Sequence, residues 1–147
     1  MSRARQQLVA QVGTELGELL SDARAVINRA AMAFAMDLPG LRPAAFHVAR
    51  HLSSNGPARP TELAAALDVD KGALSRLISD LEHAGLVTKG PHPDDGRAIA
   101  VALTHAGERR VARVLADKGA ELTQRLTRFD DGELVTLAGL LRRLNER

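Results

Sequence analysis

Residues 60–85 read PTELAAALDVDKGALSRLISDLEHAG, and the way this stretch divides decides the fold. Pro60 suits the first turn of a helix, where its missing N–H is one that would lack a partner anyway. Leu63 and Leu67 fall on one side of that helix, and Ala64, Ala65 and Ala66 leave room for a second helix to cross closely. Asp68-Val69 is long enough only for a bend. Asp70 then has the side chain of a helix N-cap, and Gly85 is placed to end the helix that follows at about Ala84. At 100° per residue, Leu74, Leu77, Ile78 and Leu81 occupy one narrow sector. Gly72, Arg76, Ser79 and His83 lie opposite, with Ala73 and Asp80 to one side. Two helices joined by a short bend, the second with a core stripe and a small polar outer face, make a helix-turn-helix.

Upstream, Leu8, Val12, Leu16, Leu19, Ala23, Val26 and Ile27 recur at three- and four-residue spacing, the mark of a long amphipathic helix over residues 8–38. At 1.5 Å per residue some thirty residues reach roughly 45 Å, too long for one small core. Pro43 opens a second helix that turns Ala45, Val48 and Leu52 inward, and residues 53–57 end it. Downstream of Gly85 the period changes to two. Residues 86–89 and 97–104 read as strands, with Ile99, Val101 and Leu103 on one half-buried face and a Pro- and Gly-rich tip at 90–96. Two helices close the chain over 105–146, the first capped by Thr104 and the second opened by a capping box of Asp130 and Glu133. The fold class is mainly α with a small antiparallel β-hairpin wing: a winged helix-turn-helix over 41–104, within a single domain spanning 1–147.

The outer face of residues 71–84 matches what a major groove about 12 Å wide admits. Gly72 and Ala73 allow close approach. Arg76 can donate two hydrogen bonds to guanine O6 and N7, worth ~1–3 kcal/mol of discrimination. Ser79 shares that face, while Lys71 and Ser75 are suited to phosphates. Arg97, just past Asp94-Asp95-Gly96, can enter a narrow minor groove, and Asp95 is placed to orient it. A plain surface helix and a solvated turn with an ion pair worth ~0–1 kcal/mol would show much the same local pattern. The ordered combination of the two is what favours double-stranded DNA as the partner.

Over residues 41–107 the chain resembles the MarR family of transcription regulators. The resemblance rests on Glu62-Leu63-Ala64, Asp70 to Arg76, Leu81 to Val87, Asp94-Asp95-Gly96-Arg97 and Leu103-Thr104-His105-Ala106-Gly107. It implies a homodimer in which 8–38 and 105–146 are dimerisation helices, and pseudo-palindromic sites read about one DNA turn, ~34–36 Å, apart. It also implies a repressor released by a small aromatic or phenolic effector bound between the dimer helices and the head. Two departures stand out. Arg42 takes a place where the family often has a Ser or Thr cap. Residues 60–104 carry four cations against seven carboxylates, which implies modest nonspecific affinity and favours a rival reading, a winged-helix protein-interaction module without DNA binding.

Composition bounds the alternatives. The 147 residues include no Cys, Trp or Tyr and only three Phe, so the core is built from Leu, Val and Ala. Disulfides and thiolate metal sites are excluded. No run approaches the ~20 apolar residues needed to cross a bilayer, and no apolar stretch follows the basic residues at the start, so a cytoplasmic protein is expected. The net charge of +2 doubles in a dimer, a mild attraction to polyanions. His47 and His51 stand at a chelating spacing, but nothing completes a set of ligands, and no metal or cofactor is expected. Met32, Phe34, Met36, Phe46 and His47 offer adaptable surface for an effector pocket, and core packing explains them equally. No nucleophile elbow, phosphate loop or paired-carboxylate motif is present, so no enzyme is expected.

Overall fold

A computed structural model describes residues 1–146. The elements are α1 (Arg3–Ala35), α2 (Ala45–Asn55), α3 (Pro60–Leu67), α4 (Lys71–His83), β1 (Val87–Pro91), β2 (Ile99–Leu103), α5 (His105–Leu126) and α6 (Asp131–Asn145). The chain packs as two compact units, one through Val114 and one from Leu115 onward, and α5 runs through both. Among the described residues no helix is long and apolar enough to cross a membrane.

Helix α1 starts five residues before the expected Leu8, because the Ser2 hydroxyl accepts the Arg5 N–H at 3.3 Å and caps it. It stops at Ala35 rather than 38. Asp37 adopts φ 62° and Gly40 φ 82°, and the chain turns back to bury Leu41. Only the last turns of α1 join the core of the first unit, where Ala30, Ala31 and Phe34 are buried. Phe34 meets Phe46 of α2 with ring centroids 5.4 Å apart, a tilted pair that fixes one helix against the other. Around them pack Val48 and Leu52 of α2, Leu63 of α3, Val101 of β2 and Val111 of α5.

The helix-turn-helix forms as its sequence dictates. Pro60 is in the first turn of α3, and Asp68 takes a left-handed φ of 52° at the bend. The Asp70 carboxylate accepts the Ala73 N–H at 2.7 Å to start α4. Leu74, Leu77, Ile78 and Leu81, the sector drawn inward by the periodicity, are the four buried residues of α4.

The hairpin sits differently from the expectation. β1 extends through Gly90 to Pro91, and the tip is residues 92–98 rather than 90–96. The antiparallel register pairs Val87 with Leu103 and Pro91 with Ile99. Ile99 does not share a buried face with Val101: it is 62% exposed, because its pair with Pro91 lies at the outer end of the wing, away from the helices. Val101 lies deeper and exchanges two backbone hydrogen bonds with Ala58, which acts as a single-residue third strand.

One joint holds the wing, α4 and α5 together. Gly85, with φ 71°, ends the turn after α4. The Thr104 hydroxyl donates to the Gly85 carbonyl at 2.7 Å and accepts the Gly107 N–H at 3.1 Å, so it closes the wing and caps α5 together. The Leu86 carbonyl accepts the Thr104 N–H at 3.0 Å. A Cβ on Gly107 would stand 2.1 Å from that same carbonyl oxygen, so only glycine fits. Gly107→Ala is therefore expected to destabilise the protein by about 3 kcal/mol in urea unfolding, although alanine is the better helix former. Wild-type stability in that variant would contradict the close approach.

Candidate nucleic-acid interface

On α4, Lys71, Gly72, Ser75 and Arg76 are exposed, and Ala73 and Ser79 are half-buried. The helix thus presents a small, polar first turn followed by one guanidinium. At its far end His83 places Nδ1 2.7 Å from the Ser79 carbonyl oxygen. A carbonyl can only accept, so Nδ1 is the donor in this contact and Nε2 faces away from it.

The wing tip is held by its own short hydrogen bonds. The His92 N–H donates to the Ala98 carbonyl at 2.8 Å, and the Asp94 N–H donates to His92 Nδ1 at 3.1 Å. Asp95 acts on Arg97 through the backbone: its Oδ1 accepts the Arg97 N–H at 3.1 Å. No ion pair joins Asp95 to the Arg97 guanidinium. Asp95 Oδ2 instead lies 3.5 Å from Arg59 Nη2, and the Arg97 side chain is left exposed.

The formal acidity of residues 60–104 has a structural resolution. Glu62 accepts the Arg59 N–H at 3.1 Å, Asp70 caps α4, and Asp95 shapes the wing tip. Asp80 pairs with Arg42 at 3.3 Å and Glu82 with Lys89 at 3.1 Å. Counted over residues 41–104, which include Arg42, Arg50 and Arg59, seven cations balance seven carboxylates. Lys71, Arg76 and Arg97 have side chains with no ion pair or hydrogen bond among the described residues. The cations left over are these three, on the α4 outer face and the wing, and Arg50 of α2, which stands beside His47. Arg42 does not stand at the N-cap of α2, which is Ala44 two residues on; it ties the turn before α2 to α4.

The five residues considered for an effector pocket do not converge. Phe34 and Phe46 are fully buried against each other, while Met32 and Met36 are 62% and 61% exposed. His47 borders a cavity of about 380 Å³ with Ala44, Val48, Ala66, Leu67, Val69 and Leu77. Burial, with Arg50 nearby, pushes its pKa below the usual histidine value. Among the described residues no three or more His, Asp or Glu side chains gather as metal ligands.

A larger cavity, about 580 Å³, is lined by Leu38, Leu86, Ala106, Arg109, Arg110, Ala112 and Arg113. Arg110 stands out. Its Nε donates to the Phe34 carbonyl at 2.6 Å and its Nη2 to the Met36 carbonyl at 2.5 Å, and its guanidinium lies 5.8 Å from the Phe34 ring centre. It caps the C-terminus of α1 from 74 residues away in sequence. Burial and Arg113 lower its pKa, and Asp37 opposes them. Nothing local in the sequence links Arg110 to α1.

A two-helix reading unit with an attached β-hairpin defines a winged helix-turn-helix protein. The comparisons agree. The family model described as MarR family matches residues 40–98. The "Multiple antibiotic resistance protein MarR" of Salmonella typhimurium is 33% identical over 100 residues, covering 67% of this chain and 69% of that protein. The "Putative transcriptional regulatory protein for hcr operon" of Thauera aromatica is 29% identical over 105 residues, 71% of this chain but 63% of that protein's length. The solved structure of wild-type apo MarR from Escherichia coli superposes with a TM-score of 0.63 at 30% identity, covering 89% of this chain and 97% of that one. The chain belongs to the MarR family of transcriptional regulators.

Replacing Arg110 with Ala should cost about 2 kcal/mol, because two charge-assisted hydrogen bonds to helix-end carbonyls are lost together. Arg110→Lys should recover less than half of that, since one ammonium cannot span both carbonyls. Thermal or urea unfolding of the pair measures it, and equal stability of wild type and Arg110→Ala would remove the cap.

Proposed function

We propose that the protein is a homodimeric repressor that reads a pseudo-palindromic site in double-stranded DNA. The observation that carries this reading is the distribution of charge in the head: every basic side chain left without a protein partner on α4 and the wing belongs to Lys71, Arg76 or Arg97. Arg76 reads guanine in the major groove and Arg97 enters the adjoining minor groove. Lys71 and Ser75 hold phosphates, and Gly72, Ala73 and Ser79 allow the helix to approach.

Apolar surface that the chain leaves uncovered supports the dimer. Through residue 25 every side chain of α1 except Leu16 is exposed, including Leu8, Val9, Val12, Leu19 and Leu20. In the second unit Leu122, Val135, Leu140, Leu141 and Leu144 are exposed as well. Apolar stripes of this length on helices mark an association surface, and closed two-fold pairing covers them most simply. The names of relatives such as the "HTH-type transcriptional repressor MdtR" of Bacillus subtilis support repression as the outcome. The cavity bordered by Arg109 and Arg113 suits a small organic anion as effector, with apolar walls from Leu38 and Leu86.

Sedimentation should give twice the chain mass of 15.7 kDa, and Leu19→Glu with Leu20→Glu should reduce it to one. Against duplexes selected from a random pool, Arg76→Ala and Arg97→Ala should each weaken binding about tenfold without altering the sedimentation. Failure of the wild type to shift any duplex at low salt would transfer the fold to the protein-interaction reading. An aromatic carboxylate such as benzoate, added to the DNA complex, should release the duplex in wild type but not in Arg109→Ala/Arg113→Ala. Release from both would place the effector elsewhere.

A further inference from the structure

Arg59 breaks a local rule. It is the N-cap residue of α3, with φ −70° and ψ 147°. That position favours a side chain that accepts a hydrogen bond from the first turn, and a guanidinium has no acceptor. A cation at a helix N-terminus also opposes the helix dipole. The helix is capped from one side only, by Glu62, whose Oε2 accepts the Arg59 N–H at 3.1 Å. The guanidinium does stand 3.9 Å from Glu62 of the same first turn, Nε to Oε1. Such a half-exposed pair is worth little in water and a Ser would cap α3 better, so what the arginine adds lies outside the helix.

Its side chain shows what is added. The guanidinium of Arg59 reaches Asp95 of the wing tip, Nη2 to Oδ2 at 3.5 Å, across 36 residues of sequence. The other oxygen of the same carboxylate holds the Arg97 N–H at 3.1 Å. The neighbouring residue, Ala58, is bonded on both its N–H and its carbonyl to Val101 of β2. The backbone at Ala58 therefore anchors the base of the wing, and the side chain at Arg59 anchors its tip. We propose that Arg59 is a positioning residue: through Asp95 it sets the direction of the wing tip relative to the helix-turn-helix, and so decides where Arg97 meets DNA. The inference rests on the DNA-reading role given to Arg97 above.

The test is a binding cycle on one selected duplex with wild type, Arg59→Ser, Arg97→Ala and the double variant, each also melted alone. Arg59→Ser should weaken DNA binding about three- to fivefold, the size of one half-exposed ion pair, while its Tm stays equal to or rises above the wild type. In the Arg97→Ala background the same substitution should change binding less than about twofold, because the group it positions is gone. Asp95→Asn, which keeps an acceptor for the Arg97 N–H but loses the charge, should behave as Arg59→Ser does. Wild-type affinity in Arg59→Ser overturns the inference. Losses that multiply in the double variant also overturn it, since Arg59 would then touch DNA on its own account. If Arg97→Ala itself binds as wild type does while the wild type binds tightly, the wing reading fails and takes the inference with it.

Discussion

The Leu86 carbonyl is the point on which the head depends. It lies immediately after the glycine that ends the turn behind α4, it receives the Thr104 N–H from the end of β2, and it presses against Gly107 in the first turn of α5. Three elements that do separate tasks thus share one backbone oxygen and the hydroxyl of Thr104. A hydroxyl can donate once and accept twice, and here the donor goes to Gly85 and an acceptor site to Gly107. The wing cannot tilt away from α4 without breaking the cap of α5. That rigidity is what lets one guanidinium on α4 and another on the wing keep a fixed separation.

Electrostatics in the head follow a division of labour. Carboxylates are spent on backbone donors and on cations that hold helices together, as with Asp70 on Ala73 and Asp80 on Arg42. Each such contact is worth little in water. Their effect on recognition is larger, because an acid held by a cap or a neighbouring cation presents less unopposed charge to a polyanion. Neutrality over residues 41–104 then coexists with three unpaired cations on α4 and the wing, and recognition depends on where those lie rather than on net charge. Arg59 shows the same economy in one residue, at some cost to the helix it begins.

Much of the fold was legible in order of elements because its signals are local. Asp70, Gly85, Pro60, Asp130 with Glu133, and the Leu74–Leu77–Ile78–Leu81 sector each act within a few residues. The hairpin was placed but shifted, since the two-residue period continues past the point where the strand leaves the helices and Ile99 meets water. The outer faces of Lys71 to Ser79 were likewise readable, because exposure on a helix is the complement of its buried stripe. The pocket residues were not: an apolar Phe at the end of α1 packs against α2 or lines a void with the same sequence, and the outcome depends on how closely two helices approach.

The amino-acid sequence alone determined the helix-turn-helix, the presence of a wing and the cations each exposes, since caps, periods and turns operate over one to four residues. Only the tertiary structure decided that Arg110 closes α1, that Arg42 and Arg59 answer Asp80 and Asp95, and that Gly107 must lack a side chain. The charged pairs among these are 36 to 76 residues apart, and no local pattern records which distant partner a side chain will meet once the chain is packed.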